Sequence, residues 1–268
     1  MNFQTDRKEN FSECMQLDTT SMTELTIESE PIIVSDDLTM IKRCISDIKL
    51  DCIDDAETSQ MLQTNDIIPS VYEGGFKIWE CSIDLTRYLM GEDVLGKRVL
   101  ELGCGSGVPG IYALTKGANV TFQDFNIQVL KYSTFPNTIL NMNEQVKTDF
   151  ANGIFEHSIL CTRMNADFWA GDWGSLFQKW TDSQYDYILS SETIYDSSSY
   201  SSFTDLVNKT LKMGGKLLIA AKYQYFGCSG SLNMFLYHLK SQYPSWKVST
   251  VMESSDGVRR QVVQVIKE

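Results

Sequence analysis

The stretch VLELGCGSG at residues 99–107 decides the fold of this chain. Its first four residues have the length and apolar character of a buried strand, and three alternating glycines follow. Glycines permit a sharp backbone bend and the close approach of a ligand. A helix that begins near Pro109 points the partial positive charge of its N-terminus at that ligand. The pattern therefore predicts a strand, a glycine-rich turn and a helix that bind a nucleotide-type cofactor.

Spacing separates the kinds of cofactor site that use such a turn. A phosphate-binding P-loop needs a Gly-Lys-Ser/Thr sequence, and no lysine stands here. A dinucleotide fingerprint places its third glycine where this chain has Val108. The remaining pattern, acid-x-Gly-x-Gly-x-Gly, resembles the first motif of class I, seven-strand S-adenosylmethionine-dependent methyltransferases. That resemblance implies Glu101, near the methionyl group, together with Gly103 and Gly105 as cofactor-binding residues. Tight packing of a strand-turn-helix unit is the alternative explanation of the glycines.

A second acidic residue, Asp124, ends the next predicted strand at residues 119–124. It follows the glycine turn by about twenty residues, a position from which a carboxylate accepts hydrogen bonds from both ribose hydroxyls. Every adenosyl-containing cofactor has that ribose, so Asp124 does not distinguish a nicotinamide from a sulfonium. The same side chain is also placed to cap a helix over residues 127–135.

Composition indicates one enzyme-sized domain with an acidic extension. The chain has 268 residues, 43 % of them hydrophobic, and a formal net charge of −12. Residues 1–70 hold 15 acidic and 5 basic side chains, and this balance argues against nucleic-acid binding through a basic patch. Residues 1–34 are predicted to be an acidic flexible tail. Residues 35–70 are predicted to be a helical extension. Its helix is predicted over residues 36–53, because apolar residues recur at helical spacing at Ile41, Ile45, Ile48 and Cys52 and Ser35 is placed to cap its start.

The cysteines and histidines of the chain indicate whether it binds a metal ion and where it resides. The 7 cysteines lack C-x-x-C spacing and the chain has only 2 histidines, so no metal site is expected. Scattered unpaired cysteines are typical of reduced thiols inside cells. No apolar run reaches the length of about eighteen residues needed to span a membrane, and no secretory signal opens the sequence. We therefore expect a monomer in the cytoplasm and nucleus without membrane contact.

Strand and helix patterns alternate along the remaining chain. Strands are predicted over residues 158–165, 185–190 and 216–221, and helices over 203–211 and 232–239. Residues 213–215 are predicted to form a turn. The gap between residues 246–252 and 260–266 is too short for a helical crossover, which predicts an antiparallel hairpin. The fold class is therefore α/β, and the layout over residues 71–268 resembles a Rossmann-like class I methyltransferase domain. Its mostly parallel seven-stranded sheet ends in the antiparallel hairpin, and cofactors bind at the carboxyl ends of such strands.

Three further segments narrow the resemblance. YEGGFKIWECS at residues 72–82 precedes the glycine strand, SSETIY at 190–195 follows the fourth strand, and KYQYFGCSG at 222–230 follows the fifth. Related lysine-modifying families usually carry Asp-x-x-Tyr where this chain has Glu192-x-x-Tyr195. Together the segments resemble the protein-histidine N-methyltransferase family, which methylates a histidine of a large-subunit ribosomal protein. The resemblance runs from about residue 71 to the C-terminus.

That resemblance implies the cofactor, the partner and further site residues. The cofactor is S-adenosyl-L-methionine, and the partner is a large-subunit ribosomal protein. Glu192 would accept one imidazole N–H as a catalytic residue, and Tyr195 would line the pocket or orient the ring. The remaining cofactor-binding residues implied by the resemblance are Ile78, Trp79, Glu80, Cys81, Ser82, Gln123, Phe125, Asn126, Gly171, Asp172, Trp173 and Ser191.

Two other functions stay open on the sequence. A lysine methyltransferase of the same fold shares the cofactor motifs, although a lysine with a pKa of about 10.4 must lose a proton before attack, whereas imidazole at about 6.5 is largely neutral. A catalytically idle cofactor-binding scaffold is the other function, and the intact Glu101 and Asp124 argue against it. Structural roles also compete at single positions, with Trp79 and Trp173 as core aromatics and Asp172 as a helix cap.

Overall fold

The structure is a computed structural model that describes residues 15–17, 28–44, 46, 72–153, 157–182 and 184–268. In this part of the chain the strands are β1 (Met15–Gln16), β2 (Ser29–Ser35), β3 (Leu38–Arg43), β4 (Arg98–Leu102), β5 (Asn119–Asp124), β6 (Ala166–Ala170), β7 (Tyr185–Ser191), β8 (Leu211–Lys222), β9 (Lys247–Ser254) and β10 (Arg260–Ile266). The helices are α1 (Glu80–Leu89), α2 (Val108–Thr115), α3 (residues 127–141), α4 (Glu144–Ala151), α5 (His157–Met164), α6 (Trp173–Lys179), α7 (Tyr200–Thr210) and α8 (Leu232–Gln242). Helix α3 is α-helical at both ends and π-helical over Leu130–Thr134.

The central sheet has the strand order β1-β6-β5-β4-β7-β8-β10-β9. Strands β6, β5, β4, β7 and β8 are parallel, whereas β10 pairs antiparallel with both β8 and β9. The predicted class I fold with a terminal antiparallel hairpin is confirmed, and β1 adds an eighth strand at the edge. The chain leaves β4 toward β5 and later returns to its other side as β7, which places a topological switch point at β4.

Helices cover both faces of the sheet, so its central strands bury apolar side chains on both faces. Val99 and Leu100 of β4 are fully buried, and they belong to the two separate hydrophobic cores. One core contains side chains of α1, α2 and α3, and the other contains side chains of α6, α7 and α8. Phe122 of β5 stacks on Phe168 of β6 with ring centroids 5.2 Å apart, which packs the first core under the parallel strands.

The helix predicted over residues 36–53 is wrong where the structure describes it. Strands β2 and β3 form an antiparallel hairpin instead, and Met40 is buried while Ile41 is partly exposed. The Ser35 hydroxyl accepts a hydrogen bond from the Asp37 N–H at 3.3 Å, so it stabilises the hairpin turn rather than a helix start. β-branched residues in β2 favour the extended conformation. The predicted helical positions Ile45, Ile48 and Cys52 lie outside the described residues, and the domain boundaries stay a prediction.

The described parts of the predicted flexible tail are packed on the fold. Met15 and Gln16 pair antiparallel with Ala170 and Trp169 of β6. Leu17 donates its N–H to the Phe168 carbonyl at 2.9 Å, and its side chain is buried in the first core. An acidic composition therefore does not keep this segment off the sheet edge.

Two other predictions are corrected by the structure. The sequence predicts a strand over residues 158–165, but residues 157–164 form helix α5. The strand β6 follows it and begins at Ala166. A short apolar run in sequence does not separate a helix from a strand. The turn predicted at Met213-Gly214-Gly215 lies inside β8 as a bulge, because Tyr185 pairs with Leu211 while Tyr187 pairs with Lys216.

The burial of Leu17 leads to a stability prediction. Replacing Leu17 by Ala is expected to lower the free energy of unfolding by about 2 to 4 kcal/mol, because it opens a cavity in a packed core. Met15→Ala is the matched control, since the Met15 side chain is 49 % exposed on the same strand. The control is expected to change stability by less than about 0.5 kcal/mol. Urea unfolding measures both, and equal effects would show that the segment is not part of the core.

Candidate functional site

A cavity of about 580 Å³ opens where the carboxyl ends of β4, β5, β6 and β7 meet. Its walls come from the glycine turn after β4, from the residues that follow each neighbouring strand, and from the segment before α1. Cofactor pockets of small molecules fall in this range of volume. The cavity lies at the switch point of the sheet, where ligands bind in open α/β folds.

The glycine turn forms the floor of the cavity, and Gly103 and Gly105 have φ angles of +61° and +51°. A Cβ on Gly103 would lie 2.6 Å from Cγ2 of Thr193, and one on Gly105 would lie 3.2 Å from the carbonyl oxygen of Gly75. Both positions therefore exclude a side chain by conformation and by contact. The glycines let three chain segments close around one space.

Asp124 is buried at the end of β5 and lines the cavity. Its Oδ2 accepts the Gly105 N–H at 2.9 Å, and its Oδ1 accepts the Asn126 N–H at 3.0 Å. Burial raises the pKa of this carboxyl to about 6, although the backbone hydrogen bonds oppose the shift. A carboxylate has about four lone-pair sites, so capacity is left for hydroxyl donors from the cavity.

Gln123 ties the ends of three strands together beside Asp124. Its Oε1 accepts the Gly103 N–H at 3.1 Å and the indole N–H of Trp173 at 2.9 Å. Its Nε2 donates to the carbonyl of Gly171 at 2.8 Å. The side chain lies on the cavity wall as predicted for a site residue, but its amide is used to organise the wall.

Asp172 and Trp173 form the wall beyond β6. Asp172 accepts the Ser175 N–H at 3.0 Å, so it caps helix α6, which is the structural role considered for it from the sequence. It also lines the cavity. Trp173 packs edge-on against Phe203 with ring centroids 5.0 Å apart. The packing and lining roles of these two residues coexist.

Trp79 lines the opposite wall between two ammonium groups. Nζ of Lys77 lies 4.8 Å and Nζ of Lys222 5.1 Å from its ring centroid. The indole N–H donates to the Gly74 carbonyl at 3.1 Å, which fixes the ring on the segment before α1.

Glu192 follows β7 with a φ of +58°, which is rare for a residue other than glycine, asparagine or aspartate. It is 8 % exposed and lines the cavity, and neither carboxylate oxygen has a hydrogen-bond partner among the described residues. Nζ of Lys222 lies 3.4 Å from Oε1 as an ion pair. Burial, and then the charge of Glu192, raise the pKa of both Cys81 and Tyr225.

Tyr195 lies on the cavity wall near Glu192 and forms a hydrogen bond with Glu73 from the segment before α1. Its hydroxyl donates to Oε2 of Glu73, and its ring packs edge-on with Tyr225 at 6.3 Å between centroids. Burial, and then Glu73, raise the pKa of the Tyr195 hydroxyl, so it is protonated at neutral pH. The contact joins the segment before α1 to the segment after β7.

The structure brings most of the predicted site residues to one cavity. Those that line it are Ile78, Trp79, Ser82, Gly103, Gly105, Gln123, Asp124, Phe125, Gly171, Asp172, Trp173, Ser191, Glu192 and Tyr195. Four predicted residues do not line it, namely Glu80, Cys81, Glu101 and Asn126.

These four residues support the wall from outside. Oε2 of Glu80 pairs with Nζ of Lys222 at 3.4 Å, and Cys81 is fully buried on α1. Asn126 accepts the Glu73 N–H at 3.3 Å. Oε2 of Glu101 accepts the Gly110 N–H at 2.9 Å, which attaches the start of α2 to β4. Burial raises the pKa of Glu101 to about 8, so this carboxyl carries a proton at neutral pH.

Sequence reasoning did not single out every residue that lines the cavity. Cys104, Ser106 and Gly107 belong to the glycine turn already identified, and Glu73, Gly75, Lys77, Thr193 and residues 227–229 belong to the three segments that carry the resemblance. The lining residues outside these stretches are Val108, Asp196, Ser198, Ser199 and Ser202. The acid and the run of hydroxyl residues after Tyr195 were the available signal, since small polar residues after a strand often border a ligand. Oδ1 of Asp196 accepts from the Ser229 hydroxyl at 2.8 Å, which holds the loops after β7 and β8 together.

The residues present fit an adenosyl cofactor. The glycine turn leaves room that a Cβ would fill, and Asp124 supplies a buried acceptor. Within the described residues, no group of three or more His, Cys, Asp or Glu is arranged to hold a metal ion. No helix in that part of the chain has the length and apolarity to cross a membrane.

Comparison with known proteins agrees with this geometry. A protein family described as "Lysine methyltransferase" matches residues 58–241. A "Histidine protein methyltransferase 1 homolog" from Dictyostelium discoideum is 38 % identical over 210 residues, which cover 77 % of this chain and 62 % of the relative. "Histidine protein methyltransferase 1" from Schizosaccharomyces pombe is 30 % identical over 266 residues, which cover 86 % of this chain and 78 % of the relative.

A solved structure shows the same fold at low identity. Magnesium protoporphyrin IX methyltransferase from Synechocystis PCC 6803, solved with bound SAH, matches with a TM-score of 0.50 at 10 % identity. The match covers 82 % of this chain and 97 % of that chain. The chain spans less than two thirds of the length of the Dictyostelium relative, but more than three quarters of the Schizosaccharomyces pombe one. From the family match and these identities, the chain belongs to the class I methyltransferases and, among them, to the histidine protein methyltransferase 1 family.

Proposed function

We propose that the chain is an S-adenosylmethionine-dependent enzyme that transfers a methyl group to a histidine imidazole nitrogen of a protein. The buried carboxylate of Glu192, which lines the cavity and pairs with the ammonium of Lys222 at 3.4 Å, carries the proposal. The Cys81 thiol and the Tyr225 hydroxyl lie beside it, and a carboxylate with about four lone-pair sites keeps capacity for a donor that arrives with the substrate. The names of the two histidine protein methyltransferase relatives support histidine as the acceptor.

The proposal gives each part of the cofactor a set of neighbouring residues. S-adenosylmethionine supplies a methyl group that its sulfonium already activates. Asp124 accepts the ribose hydroxyls, as its position after β5 and its free lone pairs allow. Asp172 and Trp173 border the adenine, and Gly103 and Gly105 let the backbone approach the methionyl side.

The acceptor side is built to hold a neutral imidazole. One ring nitrogen would attack the methyl carbon with its lone pair as the carbon–sulfur bond breaks, with the electron pair of that bond returning to sulfur and S-adenosylhomocysteine leaving, while the opposite N–H donates to Glu192. The new N–C bond would leave a positive charge on the ring, which the Glu192 carboxylate stabilises. The proton of that N–H then passes through Glu192 to water. Tyr195, fixed by Glu73, keeps the ring in place and helps exclude water.

The acceptor protein is proposed more narrowly on the resemblance of residues 72–82, 190–195 and 222–230. We infer that it is a large-subunit ribosomal protein and that the enzyme acts as a monomer in the cytoplasm and nucleus. The formal net charge of −12 supports a basic partner, since opposite net charges speed association. The acceptor is identified by incubating the enzyme with labelled S-adenosylmethionine and a heat-treated protein extract from cells that lack it. Mass spectrometry then locates the labelled residue.

Cofactor affinity is expected to depend on pH through Asp124. Burial raises the pKa of Asp124 to about 6, so below this pH the free enzyme increasingly carries the protonated acid, which accepts ribose hydroxyls poorly. The Kd for S-adenosylhomocysteine should therefore be about tenfold higher at pH 5 than at pH 7.5. Asp124→Asn should bind more weakly at pH 7.5 by about 1.5 to 3 kcal/mol and show no such dependence. Calorimetry measures both, and a flat profile in the wild type would contradict the assignment.

The target atom and the role of Glu192 are tested together. Hydrolysed product is expected to contain methylhistidine, and the rate should rise with pH through the imidazole pKa of about 6.5 and then level off. Glu192→Gln should slow transfer by about fivefold, since hydrogen bonds to charged groups contribute about 1 kcal/mol more than neutral ones. Its affinity for S-adenosylhomocysteine should not change.

The control for Glu192→Gln is Glu253→Gln on β9. Glu253 is exposed and also pairs with a cation, with Oε2 3.3 Å from Nη2 of Arg259, but it lies outside the cavity. The control is expected to keep the wild-type rate. A wild-type rate in Glu192→Gln would refute the role of its charge, and methyllysine in the hydrolysate would replace histidine by lysine as the acceptor.

A further inference from the structure

The side chains of two asparagines on α3 bind the free edge of β3. Oδ1 of Asn137 accepts the Arg43 N–H at 2.7 Å, and Oδ1 of Asn141 accepts the Ile41 N–H at 3.0 Å. Nδ2 of Asn141 returns a hydrogen bond to the Ile41 carbonyl at 2.6 Å. The helix thereby satisfies backbone groups that a neighbouring strand would otherwise bind. The two asparagines therefore attach the N-terminal hairpin to the methyltransferase domain.

Of these two asparagines, Asn137 also contacts the glycine turn of the cofactor cavity. Nδ2 of Asn137 donates to the carbonyl oxygen of Ser106 at 3.0 Å, and Ser106 lines the cavity inside the glycine turn. Nδ2 of Asn141 instead donates to Ile41 and, at 2.7 Å, to the Asn137 carbonyl. Asn137 is 2 % exposed, so water does not replace a partner that it loses. One buried amide thus bridges the hairpin and the cofactor turn.

The π-helical part of α3 makes the same connection a second time. Nη1 of Arg43, a residue only 2 % exposed, donates to the Tyr132 carbonyl in this segment at 3.2 Å. The Thr134 hydroxyl, at the end of the segment, donates to the Gly105 carbonyl at 2.6 Å. π-helical turns are frequent at functional sites, where they redirect side chains. The end of the hairpin and the cofactor turn therefore bind the same irregular stretch of helix.

We propose that Asn137 is a positioning residue for the glycine turn and that hairpin docking and cofactor binding stabilise each other through it. Docking of Arg43 orients the Asn137 amide, and the amide fixes the Ser106 carbonyl in the conformation that receives the cofactor. Coupling of this kind is reciprocal, so the bound cofactor must also hold the hairpin in place. The inference rests on the cofactor part of the proposed function and is independent of the acceptor.

Hydrogen exchange of the wild-type full chain tests the coupling without any substitution. With saturating S-adenosylhomocysteine, the amides of residues 38–44 are expected to exchange at least about fivefold more slowly than without it. A peptide covering Lys247–Ser254, on the far edge of the sheet, is the internal control and should not change. If calorimetry shows binding while residues 38–44 exchange at the same rate, this inference fails alone. If no binding occurs, the proposed cofactor fails with it.

Two matched variants separate the bridge from simple attachment of the hairpin. Asn137→Ala should raise the Kd for S-adenosylhomocysteine by about tenfold, the effect of one lost buried hydrogen bond. Asn141→Ala removes two hydrogen bonds to the same strand but none to the glycine turn, so its Kd should stay within about twofold of the wild type. Melting temperatures establish that each variant folds. Equal loss of affinity in both variants would overturn the role of Asn137. If Asn137→Ala does not fold, the hydrogen-exchange measurement on the wild type tests the proposal instead.

Discussion

The contact of three chain segments at Gly103 and Gly105 is the constraint on which the site depends. Thr193 approaches Gly103 and the Gly75 backbone approaches Gly105 so closely that neither glycine has space for a Cβ. Thr193 is adjacent to Glu192, and Gly75 belongs to the segment that carries Glu73 and Trp79. The turn that receives the cofactor therefore also fixes both walls of the acceptor side. A larger residue at either glycine would separate these walls as well as fill the cofactor space.

Burial gives three carboxyls of one region different states. Glu101 is protonated at neutral pH, because burial raises its pKa to about 8 and its one described hydrogen bond comes from Gly110. Asp124 accepts backbone N–H groups and has a pKa of about 6, so it is ionised at neutral pH and able to accept hydroxyls. Glu192 faces the ammonium of Lys222, and burial of that amine is outweighed by Glu192 and Glu80, which raise the pKa of Lys222. Protonation, backbone donors and ion pairing are three ways to keep a buried acid without an uncompensated charge.

Local sequence determines the strands and the cofactor motif, but not the partners that arrive from distant residues. The glycine turn, Asp124 and Glu192 are readable because each lies at the carboxyl end of a strand that the residue pattern predicts. The hairpin at β2 and β3 is not readable, since Ile41 fits a helical period and the asparagines that bind its strand lie about a hundred residues away. Glu73 was not singled out for the same reason, because its importance comes from Tyr195 in a segment that only the fold brings near. Short-range pattern therefore predicts the strand ends, and tertiary contacts complete the wall.

Glu192 has an unusual backbone conformation for a glutamate. The described residues other than glycine have positive φ at two positions, Asn165 and Glu192. Asparagine tolerates this conformation, and Asn165 connects α5 to β6. Glutamate has no such tolerance, and a strained residue of this kind costs of the order of 1 to 3 kcal/mol. A glycine at this position would remove the strain but also the carboxylate. The strained residue is buried, lines the cavity and pairs with Lys222, so the strain supports the acceptor-side role proposed for its carboxylate.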